Sequence, residues 1–333
     1  MPDPIPTAGT PGPTGDGTSA AGTPETPAGS PAGTSAGTSA GGTAATGVIH
    51  DIGYRHYDGP RLGRRHATAA LTWHSLRGVF GLGRTARAKI IPFTLAGVMM
   101  LPTVVSIAAM ALAQQRVMGY TEYAVVMQTV LAIFLAAQAP YTVAPDLRFK
   151  VLPLYLSRPV TIGDYVGAKL AAMAAAVFLL LAVPLTVLLA GELIVGPPWP
   201  ARTGEYLTSM AGSAGYAVLL SCLGVAIASF TPRRGLGVAA VIALYLLSSG
   251  VSAAVAAMLE SVNDYTAAGW AWLINPFFLV DAAVQVGIFG AEPSGPGSYP
   301  TGIGVAGAIA IMLALVALSV TALIARYRKA AAR

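Results

Sequence analysis

Six stretches of this chain, roughly residues 90–112, 124–143, 170–190, 207–230, 237–259 and 303–325, are apolar and contain no Asp, Lys or Arg. About 20 residues of helix, rising ~1.5 Å each, match the ~30 Å hydrocarbon layer of a bilayer. A single Asp, Lys or Arg at mid-helix would cost about 2.5–3.5 kcal/mol on insertion scales. Lipid offers a backbone amide no hydrogen bond, so a crossing segment has to close its own as helix. The sequence therefore predicts an all-α membrane protein with six transmembrane helices.

Composition agrees. Only 10% of the 333 residues are charged and 55% are hydrophobic, with a mean hydropathy of +0.65. Soluble domains carry about 25% charged residues, so this chain has too few to cover a water-facing surface. The net charge of +6 would hint at nucleic acid in a soluble protein. Here the basic residues flank the apolar runs, and the expected partner is the lipid bilayer, not nucleic acid.

The same residues orient the chain. Eighteen of the 20 Lys and Arg precede the first stretch, lie between the second and third or the fourth and fifth, or follow the sixth. The other three loops hold Arg116 and Arg202 alone. Positive charge accumulates on the cytoplasmic side, so both termini are expected there, with the chain a multi-pass protein of the cell membrane. The segment 268–291 is nearly apolar enough for a seventh crossing, but Asn275-Pro276 and Asp281 interrupt it. A seventh crossing would also put the C-terminal basic residues outside. The reading is a re-entrant or interfacial helical segment on the external side.

Four regions follow. Residues 1–48 are almost entirely Gly, Pro, Ser, Thr and Ala; such a tail cannot bury enough apolar surface to offset its ordering entropy and is expected to be disordered. Residues 49–89 form a basic cytoplasmic segment, residues 90–325 the membrane domain, and residues 326–333 a basic cytoplasmic tail. Within the second region, Leu62, Ala69, Trp73, Leu76 and Phe80 share a stripe at helical spacing among arginines. This fits an amphipathic helix in the headgroup layer, or a basic linker without fixed structure. Trp73, Trp199, Trp270 and Trp272 fall near span ends, where an aromatic belt is expected.

No chemistry of its own is legible. The chain lacks a G-x-x-x-x-G-K-[ST] phosphate loop, paired carboxylates in plausible context and a Ser-His-Asp set. The single Cys222 lies in an apolar run, and all four histidines precede the first span. The expectation is a non-catalytic protein with no cofactor and no metal.

The most informative segment is the loop 146–169, DLRFKVLPLYLSRPVTIGDYVGAK. Thr161 and Asp164 have the spacing of a helix-capping pair, and Pro159 fixes the chain just before it. A short apolar element, Leu152 to Leu156, precedes the cap between basic residues Arg148, Lys150 and Arg158. Such an element can dock into a groove on a soluble partner, or be an ordinary tight loop with positive-inside charge. Both readings stand on physics alone. Among weaker features, Ser209/Ser213 and Gly224/Ala228 are small-residue pairs that allow close helix packing. Gln128 and Gln138 can line a path or bond a neighbouring helix.

The phrase LYLSRPVTIGDYVGAKL resembles the segment between the second and third spans of ABC-2-type transporter permeases, at Leu156, Arg158, Pro159, Val160, Thr161, Tyr165 and Lys169. The basic helix before span one, the six spans and the long segment before the last are similar as well. The GPRLGR…HSLRGVFGLGR region and INPFFLVD look like actinobacterial members. The resemblance covers about residues 50–330 and implies the transmembrane subunit of an ATP-driven exporter. It also implies a second permease subunit and a separate ABC ATPase. The coupling loop would comprise Asp146, Arg148, Lys150, Arg158, Pro159, Thr161, Asp164, Tyr165 and Lys169. The alternative is a membrane scaffold that recruits a soluble partner without transport. The substrate is not legible.

Overall fold

A computed structural model describes Gly59 and residues 62–157, 159–196, 202–231 and 233–331. The expectations for residues 1–48, Arg158, Trp199 and Arg333 lie outside the described residues.

The described residues are helical, with no strand among them. Six helices are long and apolar enough to cross a membrane. They are α2 (Ala86–Ala113), α4 (Gln128–Arg148), α6 (Ile162–Val195), α7 (Thr203–Phe230), α8 (Arg234–Ser261) and α11 (Ile303–Ala331). Shorter elements join them: α1 (Arg64–Val79) before the first span, α3 (Tyr123–Val126), α5 (Leu152–Leu156), α9 (Tyr265–Trp272) and α10 (Pro276–Val280). The fold is thus an all-α multi-pass membrane architecture.

Several helix ends differ from the apolar windows. α6 begins at Ile162, eight residues ahead of the apolar stretch that opens at 170, because Thr161 caps it. α4 begins at Gln128 rather than near 124, because the chain breaks at Met127 after the four-residue α3. α11 runs through Arg326, Arg328 and Lys329 to Ala331. The basic C-terminal residues belong to its last turns, where cations suit the negative end of the helix dipole.

The core is built by α4, α6 and α7, most of whose length is buried. α7 packs against α4, α6, α8 and α11, and α2 lies along α6. Gly224 and Ala228 face this core: a Cβ on Gly224 would rest 3.4 Å from Leu135 of α4. α2, α8 and α11 leave most of their surface exposed, and that surface is apolar, with Leu101, Val104, Leu246, Leu247, Leu313 and Leu318 turned outward. In water such faces would be an aggregation hazard; against lipid tails they match their surroundings.

The segment expected to be re-entrant is a helix pair bent by 104° between Trp272 and Pro276. The bend sits where Asn275 caps α10, its side chain accepting from the Phe277 amide at 3.0 Å. The Asn275 amide also donates to Gln128 Oε1 at 3.2 Å, which ties the bend to the start of α4. Gln128 therefore serves a bond between helices. Beyond Val280 the chain widens into a π-helical turn, Asp281–Val286. The end of α10 and this turn press on α7, where a Cβ on Gly215 would stand 3.0 Å from Val280 and 3.1 Å from Val284.

The loop that follows is held by one buried carboxylate. Asp281 accepts from Gln285 Nε2 at 2.7 Å, the Ser294 amide at 2.8 Å and Tyr299 Oη at 2.9 Å. Trp272 turns inward here, donating to Glu260 Oε1 at 3.2 Å and packing edge-on against Phe278. Trp270 is partly exposed.

Candidate functional site

The residues singled out between 146 and 169 gather at one end of the bundle, where α4 ends, α5 turns and α6 begins. Thr161 and Asp164 form the expected capping box. The Asp164 amide donates to Thr161 Oγ1 at 3.2 Å, and the Thr161 amide donates to Asp164 Oδ2 at 2.8 Å. Each satisfies a helix-end group that would otherwise lack a partner.

The box has a further partner. Arg64, the first residue of α1, donates through Nε to Asp164 Oδ2 at 2.6 Å and through Nη2 to Oδ1 at 2.9 Å. Its Nη2 also reaches Thr161 Oγ1 at 3.2 Å. The planar guanidinium matches the carboxylate two bonds at a time. That hydrogen bond and charge raise the Arg64 pKa above its ordinary value.

The Arg64 contact fixes how α1 lies. The helix packs along α6 with Ala67, Leu71, Ser75, Leu76 and Val79 on its inner side. The stripe read from sequence falls across both faces: Leu76 and Phe80 pack inward, but Leu62, Ala69 and Trp73 point out, Trp73 being 63% exposed. α1 thus has a mostly apolar contact face, with Ser75 its one buried polar residue, and an outer face on which Leu62, Ala69 and Trp73 stand between cations. Gly81 ends the helix at a φ of +68°, and a Cβ there would meet the Ala88 carbonyl oxygen at 2.6 Å.

A second network lies one layer deeper. Asp146 near the end of α4 takes an ion pair from Lys169 Nζ at 2.9 Å and a short hydrogen bond from Tyr165 Oη. Lys169 and Asp146 are 11% and 14% exposed, so the pair is little screened. The Tyr165 ring lies against Tyr155 of α5 and Tyr327 of α11, centroids 5.3 and 5.2 Å away. Through Tyr165, α4, α5, α6 and α11 meet at one point.

α5 stands above this layer. Leu152 is buried beneath it, while Leu154 and Phe149 are 71% and 68% exposed. Arg148 and Lys150 are exposed beside them. Between α5 and α1 runs a groove of about 840 Å³, lined by Leu62, His66, His74, Leu154 and Pro159, with Asp146 among its walls. Asp146, Thr161, Asp164, Tyr165 and Lys169 are therefore joined in two networks. Arg148, Lys150 and Pro159 lie on the open surface around them. Sequence reading missed Arg64 as a member, and Tyr155 and Tyr327. A basic residue heading a helix is the only local signal for the first.

Among the described residues no group of three or more His, Cys, Asp or Glu is placed to hold a metal. No family model matches this chain, and no curated protein matches it.

Proposed function

We propose that this chain is the membrane-spanning subunit of an ATP-driven transporter of the ABC-2 permease type. A separate ATPase would dock at the end formed by α1, α5 and the start of α6. The observation that carries the reading is the clasp of Arg64 on the Thr161–Asp164 box, which joins a helix outside the spans to the first turn of a spanning helix beside the exposed α5. A push on α1 or α5 then moves α6. The absence of a phosphate loop from the sequence supports a partner that hydrolyses ATP. The resemblance of residues 154–170 to the permease segment supports the class. The charge distribution supports placing this end in the cytoplasm, the chain in the cell membrane, and α9–α10 at the outer side. A second permease subunit, identical or related, completes the assembly in this reading. The substrate is unassigned.

The test is purification of the chain in mild detergent from its own cells, with identification of what comes with it. A phosphate-loop ATPase should co-purify with the parent and be lost with Arg158→Glu, which still inserts. Reversing a desolvated contact charge costs about 2–5 kcal/mol, enough to abolish capture. Full retention of the ATPase and of transport-linked hydrolysis by both Arg158→Glu and Asp164→Ala would reduce the loop to a connector. A partner without ATPase activity would favour the scaffold reading.

A further inference from the structure

The opposite end of the bundle carries a polar cavity that the coupling reading does not use. It has a volume of about 310 Å³ and lies among the end of α2, the loop before α3, the end of α6 and the start of α7. Four carboxylates line it, Glu122, Glu192, Glu205 and Glu292, with two guanidiniums, Arg116 and Arg202. Both guanidiniums are engaged within the protein. Arg116 pairs with Glu192 Oε1, and Arg202 Nη1 with Glu205 Oε1 at 2.7 Å. Tyr120 donates to the other Glu192 oxygen at 2.5 Å.

What is left over is acceptor capacity and negative charge. Glu205 Oε2 is buried and has no hydrogen-bond partner among the described residues. No ion pair among the described residues reaches Glu122 or Glu292. Independently, Ser106 lines the cavity at 3% exposure, and its hydroxyl has no hydrogen-bond partner among the described residues. A helical serine or threonine can return its hydroxyl to a carbonyl one turn back, as Ser213 and Thr142 do in this protein. Ser106 does not. A buried polar group without a partner costs free energy and calls for one from outside the chain.

We propose that this cavity binds a primary ammonium group: the side chains of Glu205 and Ser106, whose Oε2 and Oγ are closed off from the cavity in this structure, turn to accept its N–H bonds, and Glu122 and Glu292 supply the attracting field. An ammonium offers three donors and no acceptor, the complement of what the cavity lacks. Met110 and Leu188 on the wall suit the carbon chain of an amine. An anion finds no uncommitted guanidinium here, and among the described residues no group of three or more His, Cys, Asp or Glu is placed to hold a metal. The ammonium belongs either to a soluble amine or to an ethanolamine lipid headgroup.

The test uses the full-length protein in phosphatidylcholine nanodiscs, whose quaternary headgroups cannot donate, titrated calorimetrically with cadaverine. Saturable one-site binding is expected. It should weaken about tenfold with Glu205→Gln, the loss of one charge-assisted contact, and several-fold with Ser106→Ala. Glu292→Gln, at an exposed position, should weaken it without touching the fold, and each variant is checked by its thermal melt. Neutral 1,5-pentanediol should not bind. Adding phosphatidylethanolamine distinguishes the sources: competition assigns the lipid headgroup, and unchanged cadaverine affinity assigns a soluble amine. No saturable binding, equal binding of the diol, or equal affinity in all well-folded variants would overturn the proposal.

Discussion

Arg64 and Asp164 stand 100 positions apart in the chain and meet through two hydrogen bonds of 2.6 and 2.9 Å. One residue opens a helix outside the spans; the other sits in the first turn of the longest spanning helix. The contact ties a surface helix to the bundle at a single defined point.

Removing either partner should loosen α1 without unfolding the spans. In Arg64→Ala, backbone amides near the start of α1 are expected to exchange faster in hydrogen–deuterium exchange, with α4 and α7 unchanged. Asp164→Ala should give the same pattern, and the double variant no further change. If α1 stays equally protected in both, its packing on α6 holds it unaided.

Tyr165→Phe isolates the deeper network, since it keeps the ring between Tyr155 and Tyr327 and deletes the hydroxyl that Asp146 accepts from. A hydrogen bond to a charged group contributes about 1.5–3 kcal/mol. The expected result is a lower thermal midpoint in detergent. An unchanged midpoint would mean that Lys169 alone satisfies Asp146.

Asp281→Ala should release the loop 287–302. It leaves the buried Tyr299 hydroxyl without its acceptor, at about 1–3 kcal/mol, and takes one acceptor from the Gln285 amide, which keeps the Thr121 carbonyl at 3.3 Å. Limited proteolysis is expected to cut between 287 and 302 in the variant and not in the parent. Asp281→Asn, which keeps one acceptor oxygen, should be cut at an intermediate rate. Resistance of the alanine variant would show that Trp272 and Phe278 suffice.

Alkaline pH should destabilise the end that carries Tyr120 and Tyr299. Burial, then the neighbouring carboxylate of Glu192 or Asp281, raises both hydroxyls above the ordinary tyrosine value. A folded-state value above the unfolded one, ~10 for tyrosine, gives stability that is full below that pH and falls as pH rises beyond it. Melting curves from pH 8 to 11 should fall on the alkaline side, and Tyr120→Phe and Tyr299→Phe should flatten that limb. Parallel curves for parent and variants would assign the loss to other groups.

Topology is open to direct measurement. With buried Cys222 replaced by Ala, single cysteines at Arg202 and Glu292 should react with an impermeant maleimide from outside intact cells. Cysteines at Arg148 and Lys329 should react only after permeabilisation. Labelling at Lys329 from outside would reverse the proposed orientation or add a crossing.

The six spans were legible because a hydropathy window needs only local sequence, and so was the Thr161–Asp164 box, a pattern four residues long. Three features were not. The face that α1 buries was not legible, because the apolar stripe through Leu62, Ala69 and Trp73 is turned outward and the residues that pack on α6, such as Ala67, Ser75 and Val79, form a weaker pattern. Trp272 matched the composition of an interfacial anchor, but only the 104° bend turns it toward Glu260 and Phe278. Arg64 was one of several cations near the first span, and no local pattern names a carboxylate 100 residues away. At the other end, Ser106 is an ordinary small residue in an apolar run, and only the folded neighbours reveal its lone hydroxyl.

α6 has 34 residues, roughly 51 Å of helix at ~1.5 Å per residue, against ~30 Å of hydrocarbon. It is fastened to charged groups near both ends: Asp164 to Arg64 at one, Glu192 to Arg116 and Tyr120 at the other. A rod tied at both ends has little freedom to slide along its own axis. It can roll or tilt, and either motion carries its two fastenings with it, so a twist applied at the α1 clasp reaches the walls of the far cavity as a change in its shape.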